Sequence, residues 1–208
     1  MKWQRSIRVV LTTGLALLGV AGCSIKSETA PSRFYMLRPL PADAAGLEAR
    51  SAEAGPALAL GPVNVPAYLD RPQIVTRAPG TEVKLSEFER WAEPLEDNVA
   101  AVLADNLAKL VPTERVSAYP DRLQLDVDLR VAVDVIRFDG VLGGDVVLEV
   151  RWSLVSGAEE APVRRQQSRF VQPANGPAYA DLVEAMSRTL DALSRELAQE
   201  IRRATSRG

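Results

Sequence analysis

The sequence predicts a mixed α/β domain: a largely antiparallel sheet with two helices on one face. Two kinds of pattern predict it. Leu123, Leu125, Val127, Leu129, Val131, Val133 and Val135 alternate with mostly polar residues, and Val146, Leu148, Val150, Trp152 and Leu154 repeat the alternation after Gly143-Gly144. A period of two marks a strand with one buried face. Two other segments place apolar residues every three or four positions. One holds Leu95, Val99, Val102, Leu103, Leu107 and Leu110; the other holds Leu182, Met186, Leu190, Leu193, Leu197 and Ile201. That is the period of an amphipathic helix.

The N-terminus has its own grammar. Lys2, Arg5 and Arg8 are followed by an apolar run at residues 9–20, then by Ala21, Gly22 and Cys23. A basic start, a short apolar run and small residues before a cut site describe a secretion signal over residues 1–22. The run is shorter than the about 20 apolar residues a membrane span needs. Val20-Ala21-Gly22-Cys23 resembles the lipobox of bacterial lipoproteins. That resemblance implies a thioether-linked diacylglycerol and an N-acyl chain on Cys23. The alternative is an ordinary secretory signal that happens to end at a cysteine. Ser24 does not resemble an inner-membrane retention signal, so the expected location is the periplasmic face of a Gram-negative outer membrane. One acyl chain anchors only marginally, whereas two or three hold firmly.

The mature chain divides into a lipidated tether, residues 23–32, and one domain, residues 33–205. A first strand is expected at 33–37, with Phe34, Tyr35 and Leu37 as its bulky members. Residues 39–56 are rich in Ala, Pro and Gly, and are open between a loop and a short helix. Strands follow at 57–63 and Gln73–Arg77. Between them, Pro66 and Pro72 block regular structure on both sides of Tyr68. Pro79-Gly80 turns the chain, and Val83 and Leu85 form a short strand. Pro94 opens the first helix, where proline is welcome; Asn106 interrupts its apolar stripe and Pro112 ends it. A short strand is expected at 116–119. The alternation of the long strand slips at Ile136 and Phe138, which predicts a bulge. Residues 163–171 return as a polar, Arg-rich strand, completing an antiparallel meander. The last helix is expected to pack on the sheet, the alternatives being a coiled coil or a lipid-binding helix, and the opposite sheet face is expected to be charged.

Composition removes several functions. The chain has 208 residues, 47% of them apolar, and a net charge of −2; without Lys2, Arg5 and Arg8 the 22 basic and 27 acidic side chains give −5. A weakly acidic chain without a basic stripe is a poor nucleic-acid binder. One cysteine allows no intrachain disulfide. The absence of histidine removes Ser-His-Asp and Cys-His catalysis and histidine-based zinc sites. No Walker A loop, G-x-G-x-x-G or G-x-S-x-G occurs. Asp126 and Asp128 are the obvious carboxylate pair, but they alternate with Leu125, Val127 and Leu129 and read as a solvated sheet face. No catalytic residue, metal ligand or cofactor site is expected beyond the lipid on Cys23.

Three pieces point to a family. The first is Phe34-Tyr35-Met36-Leu37 soon after Cys23. The second is Val65-Pro66-Ala67-Tyr68-Leu69-Asp70-Arg71-Pro72-Gln73-Ile74-Val75-Thr76-Arg77. The third is Phe88-Glu89-Arg90-Trp91-Ala92-Glu93-Pro94-Leu95, leading into a helix. In this order they resemble the auxiliary lipoprotein family of ABC-type intermembrane transporters, the paraquat-inducible protein C type. The resemblance spans essentially the whole mature chain. It implies an anticodon-binding-like two-layer α/β fold. It also implies a non-enzymatic role at the outer membrane, beside periplasmic substrate-carrying proteins with the mammalian-cell-entry domain. Those systems move phospholipids or other hydrophobic molecules, with an ATPase and a permease in the inner membrane.

The resemblance marks Tyr68, Arg71, Arg77, Arg90 and Trp91 as partner-binding candidates, residue types enriched at binding hot spots. The plain alternative is that Tyr68 and Trp91 cap the core, while Arg71 or Arg90 pairs with Asp70 or Glu93. Arg77 and Arg90 are also candidates for lipid phosphates. Arg164, Arg165 and Arg169 lie on an expected edge strand, where charge prevents unwanted pairing or meets a partner. A homo-oligomeric ring around the carrier is a further expectation. Two other functions stay open: a structural or assembly lipoprotein of pilotin-like or cell-wall-linked type, and a carboxylate hydrolase.

Overall fold

The computed structural model describes residues 30–44, 55–111, 113, 115–118, 127–157 and 162–206. In chain order the elements are β1 (Arg33–Tyr35), a 3-10 turn (Ala42–Ala44), β2 (Leu58–Asn64), β3 (Gln73–Arg77), β4 (Val83–Trp91), α1 (Leu95–Leu110), β5 (Val116–Ala118), β6 (Leu129–Gly140), β7 (Asp145–Ser156), β8 (Pro162–Pro173) and α2 (Tyr179–Thr205). Both helices and the meander fall where the sequence places them. The expected strand positions Leu123 and Leu125 lie outside the described residues, as do residues 45–54 of the Ala- and Pro-rich stretch.

Two sheets form where the alternation predicts one. The larger runs β5-β2-β6-β7-β8; the smaller runs β1-β4-β3. Pairing is antiparallel along β6–β7, β7–β8 and β3–β4, but β2 lies parallel to both β5 and β6, and β1 lies parallel to β4. The second sheet arises because β4 continues past Val83 and Leu85 through Trp91, so that β3 pairs along one edge of it and β1 pairs its last three residues on the other. Gly80, with φ +81°, makes the β3–β4 turn in the left-handed region that glycine occupies freely.

The predicted bulge is present: the β6–β7 register shifts between Val135 and Arg137. Phe138 then faces Leu148 on the buried side, and both are fully buried. The same shift sends Arg137 and Asp139 to the other face of the sheet. Without the extra residue, Phe138 would point away from the core.

Leu95, Val99, Leu103 and Leu107 of α1 and Leu182, Met186, Leu190, Leu193, Leu197 and Ile201 of α2 are buried against one face of the larger sheet. Each such side chain contributes about 1.5–3 kcal/mol by leaving water. Trp152 extends the layer and satisfies its indole, Nε1 donating to Ser168 Oγ and Glu196 Oε1 at 3.1 Å each. The opposite face carries Arg130, Asp134, Glu149, Arg151 and Arg169 around the strands' exposed positions.

The polar break in the α1 stripe has a specific use. Residues 37–40 lie against both helices as a strap. Leu37 N donates to Asn98 Oδ1 at 2.7 Å and Leu40 N to Asn106 Oδ1 at 2.7 Å, both buried. Asn106 Nδ2 donates onward to Ser194 Oγ of α2 at 3.0 Å. Lys109 Nζ donates to Leu40 O at 2.6 Å, and Arg38 N to Ser187 Oγ at 3.1 Å. Leu37 and Leu40 are buried beneath. Side chains thus supply the partners that this non-sheet backbone lacks. Asn106→Ala is expected to strand the Leu40 amide and lower stability by about 2–3 kcal/mol. Gln199→Ala, on the exposed side of α2, is expected to stay within about 0.5 kcal/mol of the parent. Urea unfolding of both variants checks this.

Candidate functional site

The loop between β2 and β3 is a tight wrap. Pro66 O accepts from Leu69 N at 2.8 Å and from Asp70 N at 3.3 Å, and Arg71 N donates to Leu69 O at 2.8 Å. Leu69 is buried at its centre. Trp91 N donates to Pro72 O at 2.8 Å, which brings the end of this loop onto the end of β4, and Ala92 N donates to Tyr35 O at 2.9 Å. The second and third motif segments therefore meet, although about twenty residues separate them in the sequence. Where they meet is a pocket of about 350 Å³, lined by Asp70, Arg71, Pro72, Trp91, Ala92, Glu93 and Pro94.

Arg71 has its Nε buried in the wall region, and this Nε donates to no acceptor. A buried N–H left without an acceptor costs about 1–3 kcal/mol. Glu93 Oε1 instead accepts from Asn98 Nδ2 at 2.6 Å, anchoring the pocket to α1. A larger open depression, about 530 Å³ around Asp134, Arg151, Ser153, Arg165 and Gln167, lies on the uncovered sheet face. It contains none of the motif residues, so the smaller pocket is the stronger candidate.

The structure separates the five candidates that the motifs group together. Arg71 and Trp91 line the pocket, although Trp91 is itself 5% exposed and belongs to the core. Arg90 is part-buried, and its Nε donates to Glu87 O at 3.0 Å. Tyr68 and Arg77 turn to a different centre, Asp139. Tyr68 Oη donates to Asp139 Oδ2 at 2.8 Å, Arg77 Nε to Oδ1 at 3.0 Å, and Arg137 Nε to Oδ1 at 2.8 Å. The Arg77 guanidinium also lies 5.9 Å from the Tyr68 ring centroid, at the outer limit for a cation–π contact. Cys23 lies outside the described residues. Among the three arginines of β8, Arg169 faces Glu149 at 3.4 Å and Arg164 lies 3.9 Å from Glu200, and β8 is an edge strand as expected.

Asp139 and Arg137 escape a reading by motif. The available signal is the phase slip: a lone carboxylate between Phe138 and Gly140, just past the point where alternation breaks. Asp139 is fully buried. Burial alone would push its carboxyl up, but the bonds from Arg77, Arg137 and Tyr68 outweigh that and hold it below the usual range. Burial, with the neighbouring Asp139 carboxylate, pushes the Tyr68 phenol up to about 12. Glu89 makes a second such knot. Arg33 Nε donates to it at 3.0 Å and Tyr35 Oη at 2.7 Å, so β1 is pinned to β4 by side chains as well as by pairing.

These shifts set a pH dependence. Asp139 contributes its full stability above the unfolded value of about 4, and loses it as pH falls through the depressed folded value. Tyr68 contributes fully below about 10 and loses its contribution as pH rises from there through about 12. Asp139→Asn is expected to lower stability at pH 7 by about 3 kcal/mol and to flatten the acid decline. Tyr68→Phe is expected to remove part of the alkaline decline. Urea midpoints measured across pH check both.

Comparison with known proteins places this arrangement. A family model described as the ABC-type transport auxiliary lipoprotein component matches residues 35–198, a span that includes the strap, both motif segments, Asp139 and most of α2. The intermembrane transport lipoprotein PqiC of Escherichia coli K12 is 25% identical over 189 residues, covering 91% of this chain and 95% of that protein. Its Shigella flexneri counterpart matches to the same extent. A crystal structure of a Xanthomonas campestris protein has the same fold, with a TM-score of 0.64 at 17% identity over 85% of this chain and 100% of that one. A second crystal structure, of an uncharacterised protein, superposes with a TM-score of 0.66 at 20% identity over 82% of this chain and 99% of the other. This chain belongs to the family of ABC-type transport auxiliary lipoprotein components.

Proposed function

We propose that this chain is the outer-membrane lipoprotein of an intermembrane lipid transport system. In this reading it is held by a diacylglycerol and an N-acyl chain on Cys23, and it docks the system's periplasmic carrier, a protein with the mammalian-cell-entry domain. It performs no reaction of its own; its task is to fix the carrier's end beside the membrane. The observation that carries the docking site is the pocket where the two motif segments meet, with the Nε of Arg71 buried and lacking an acceptor.

The physical argument is one of complementarity. A carbonyl or carboxylate brought by the carrier would supply the missing acceptor and remove a penalty of about 1–3 kcal/mol present in the free protein. Pro72, Pro94 and Trp91 give that acceptor rigid apolar walls, so little conformational freedom is lost on binding. A half-buried arginine beside an aromatic is a composition enriched at binding hot spots. Tyr68 supports this site indirectly, since its bond to Asp139 holds the loop that presents Arg71.

Arg71→Ala is expected to reduce the carrier recovered with this protein from detergent-solubilised membranes by about tenfold, a loss of about 1.4 kcal/mol. Its urea midpoint is expected to equal or exceed the parent's, because the unpaired buried Nε is removed with the side chain. Recovery equal to the parent's would place the docking site elsewhere. Tyr68→Phe is expected to lower stability before it lowers recovery. Separately, Cys23→Ala is expected to move the protein from the membrane fraction to the soluble periplasmic fraction while leaving its fold intact. Persistent membrane association of that variant would show a second attachment.

A further inference from the structure

The first strand carries apolar surface that the fold does not use. Phe34 is 63% exposed and Met36 is 55% exposed. They alternate with Tyr35, which turns inward to Glu89, and with Leu37, which is buried under the helices. On β4 the same alternation buries Glu89 and Trp91 and leaves Phe88 and Arg90 on the outward side; Phe34 is in register with Arg90. Phe34, Met36, Phe88 and Arg90 therefore share one face, and β1 is the edge strand of its sheet. Single exposed hydrophobics are ordinary on any surface. Here two large ones sit two residues apart, Phe34 on β1 and Met36 just past its end, in a segment held by Glu89 on one side and by Asn98 and Asn106 on the other.

We propose that this outward face of the small sheet rests on the bilayer interface, Phe34 and Met36 entering the boundary between headgroups and acyl chains. The inference rests on the lipid anchor at Cys23. Phe34 follows Cys23 by eleven residues. Eleven residues reach at most about 38 Å at full stretch, so an anchor at Cys23 keeps β1 within that distance of the membrane. Tethering raises the local concentration of the surface, and a contact too weak to recruit the protein unaided becomes populated. Arg33 and Arg38 border the apolar pair with their guanidiniums held by Glu89 and Glu184, so the contact is carried by Phe34 and Met36 alone. In this orientation the Arg71 pocket lies one backbone bond from the membrane-facing strand, through Ala92 N and Tyr35 O, so a docked carrier would open beside the leaflet.

The test uses the full lipidated chain on vesicles of phosphatidylethanolamine and phosphatidylglycerol. Cys23 is the only cysteine and is acylated in this reading, so Phe34→Cys, Met36→Cys and Gln199→Cys each offer one free thiol for an environment-sensitive fluorophore. Flotation is read first. With the protein floated, emission at positions 34 and 36 is expected to shift to the blue and to be quenched roughly twofold by nitroxide lipids, while position 199 is unaffected, as for an interfacial contact of shallow depth. Labels at 34 and 36 that behave like the label at 199 overturn the inference while leaving the anchor intact. Labels equally shielded with and without vesicles assign the face to a protein contact and overturn it as well. A full chain that does not float overturns the anchor itself, and this inference with it.

Discussion

A fully buried carboxylate organises the region that matters here. Asp139 accepts from Tyr68, Arg77 and Arg137, groups from a loop, from the small sheet and from the large sheet. Removing any one donor leaves a buried charge less compensated, which is far more costly than the pair is worth when intact. The knot therefore acts as a geometric clamp. It fixes the β2–β3 loop against β6, and that loop carries Asp70, Arg71 and Pro72 to the pocket. The bulge beside Val135 is what makes the clamp possible, because it turns Asp139 to that face while returning Phe138 to the core.

A second set of constraints fixes where the chain enters the body. The amides of Leu37 and Leu40 are satisfied by Asn98 and Asn106 instead of by a neighbouring strand. Arg33 and Tyr35 are tied to Glu89. Residues 33–40 are thus held to both the small sheet and the helices by side-chain bonds as well as by strand pairing.

The family and its relatives name a transport role, and the chemistry of the chain is compatible with one that binds and positions without reacting. The polar groups with shifted protonation are structural. Asp139 and Glu89 are held ionised by arginines that bond them directly, which makes them poor general acids or bases near neutral pH. What the chain presents outward is different in kind: an arginine without an acceptor in a proline- and tryptophan-walled pocket, and an aromatic-methionine face on an edge strand.

The sequence by itself determined the secondary elements, because hydrophobic period is a local property. The stripes of α1 and α2, the alternation of β6 and β7 and the slip after Val135 are each legible within one segment. So were the order of the motif pieces and their resemblance to a family. Partnership across the chain was not legible. Nothing local tells that Asn106, an apparent flaw in a helix stripe, bonds the backbone of Leu40, or that Tyr68 and Arg77 turn to Asp139 while Arg71 lines a pocket with Trp91. The same limit hid the second sheet: the residues suggest only a short strand at Val83 and Leu85, and both the continuation of β4 to Trp91 and its two partners are settled by pairing across the chain. Hydrogen bonds and pockets join positions that only the tertiary fold brings within about 3 Å, and there the structure alone decided which candidates form a site and which hold it in place.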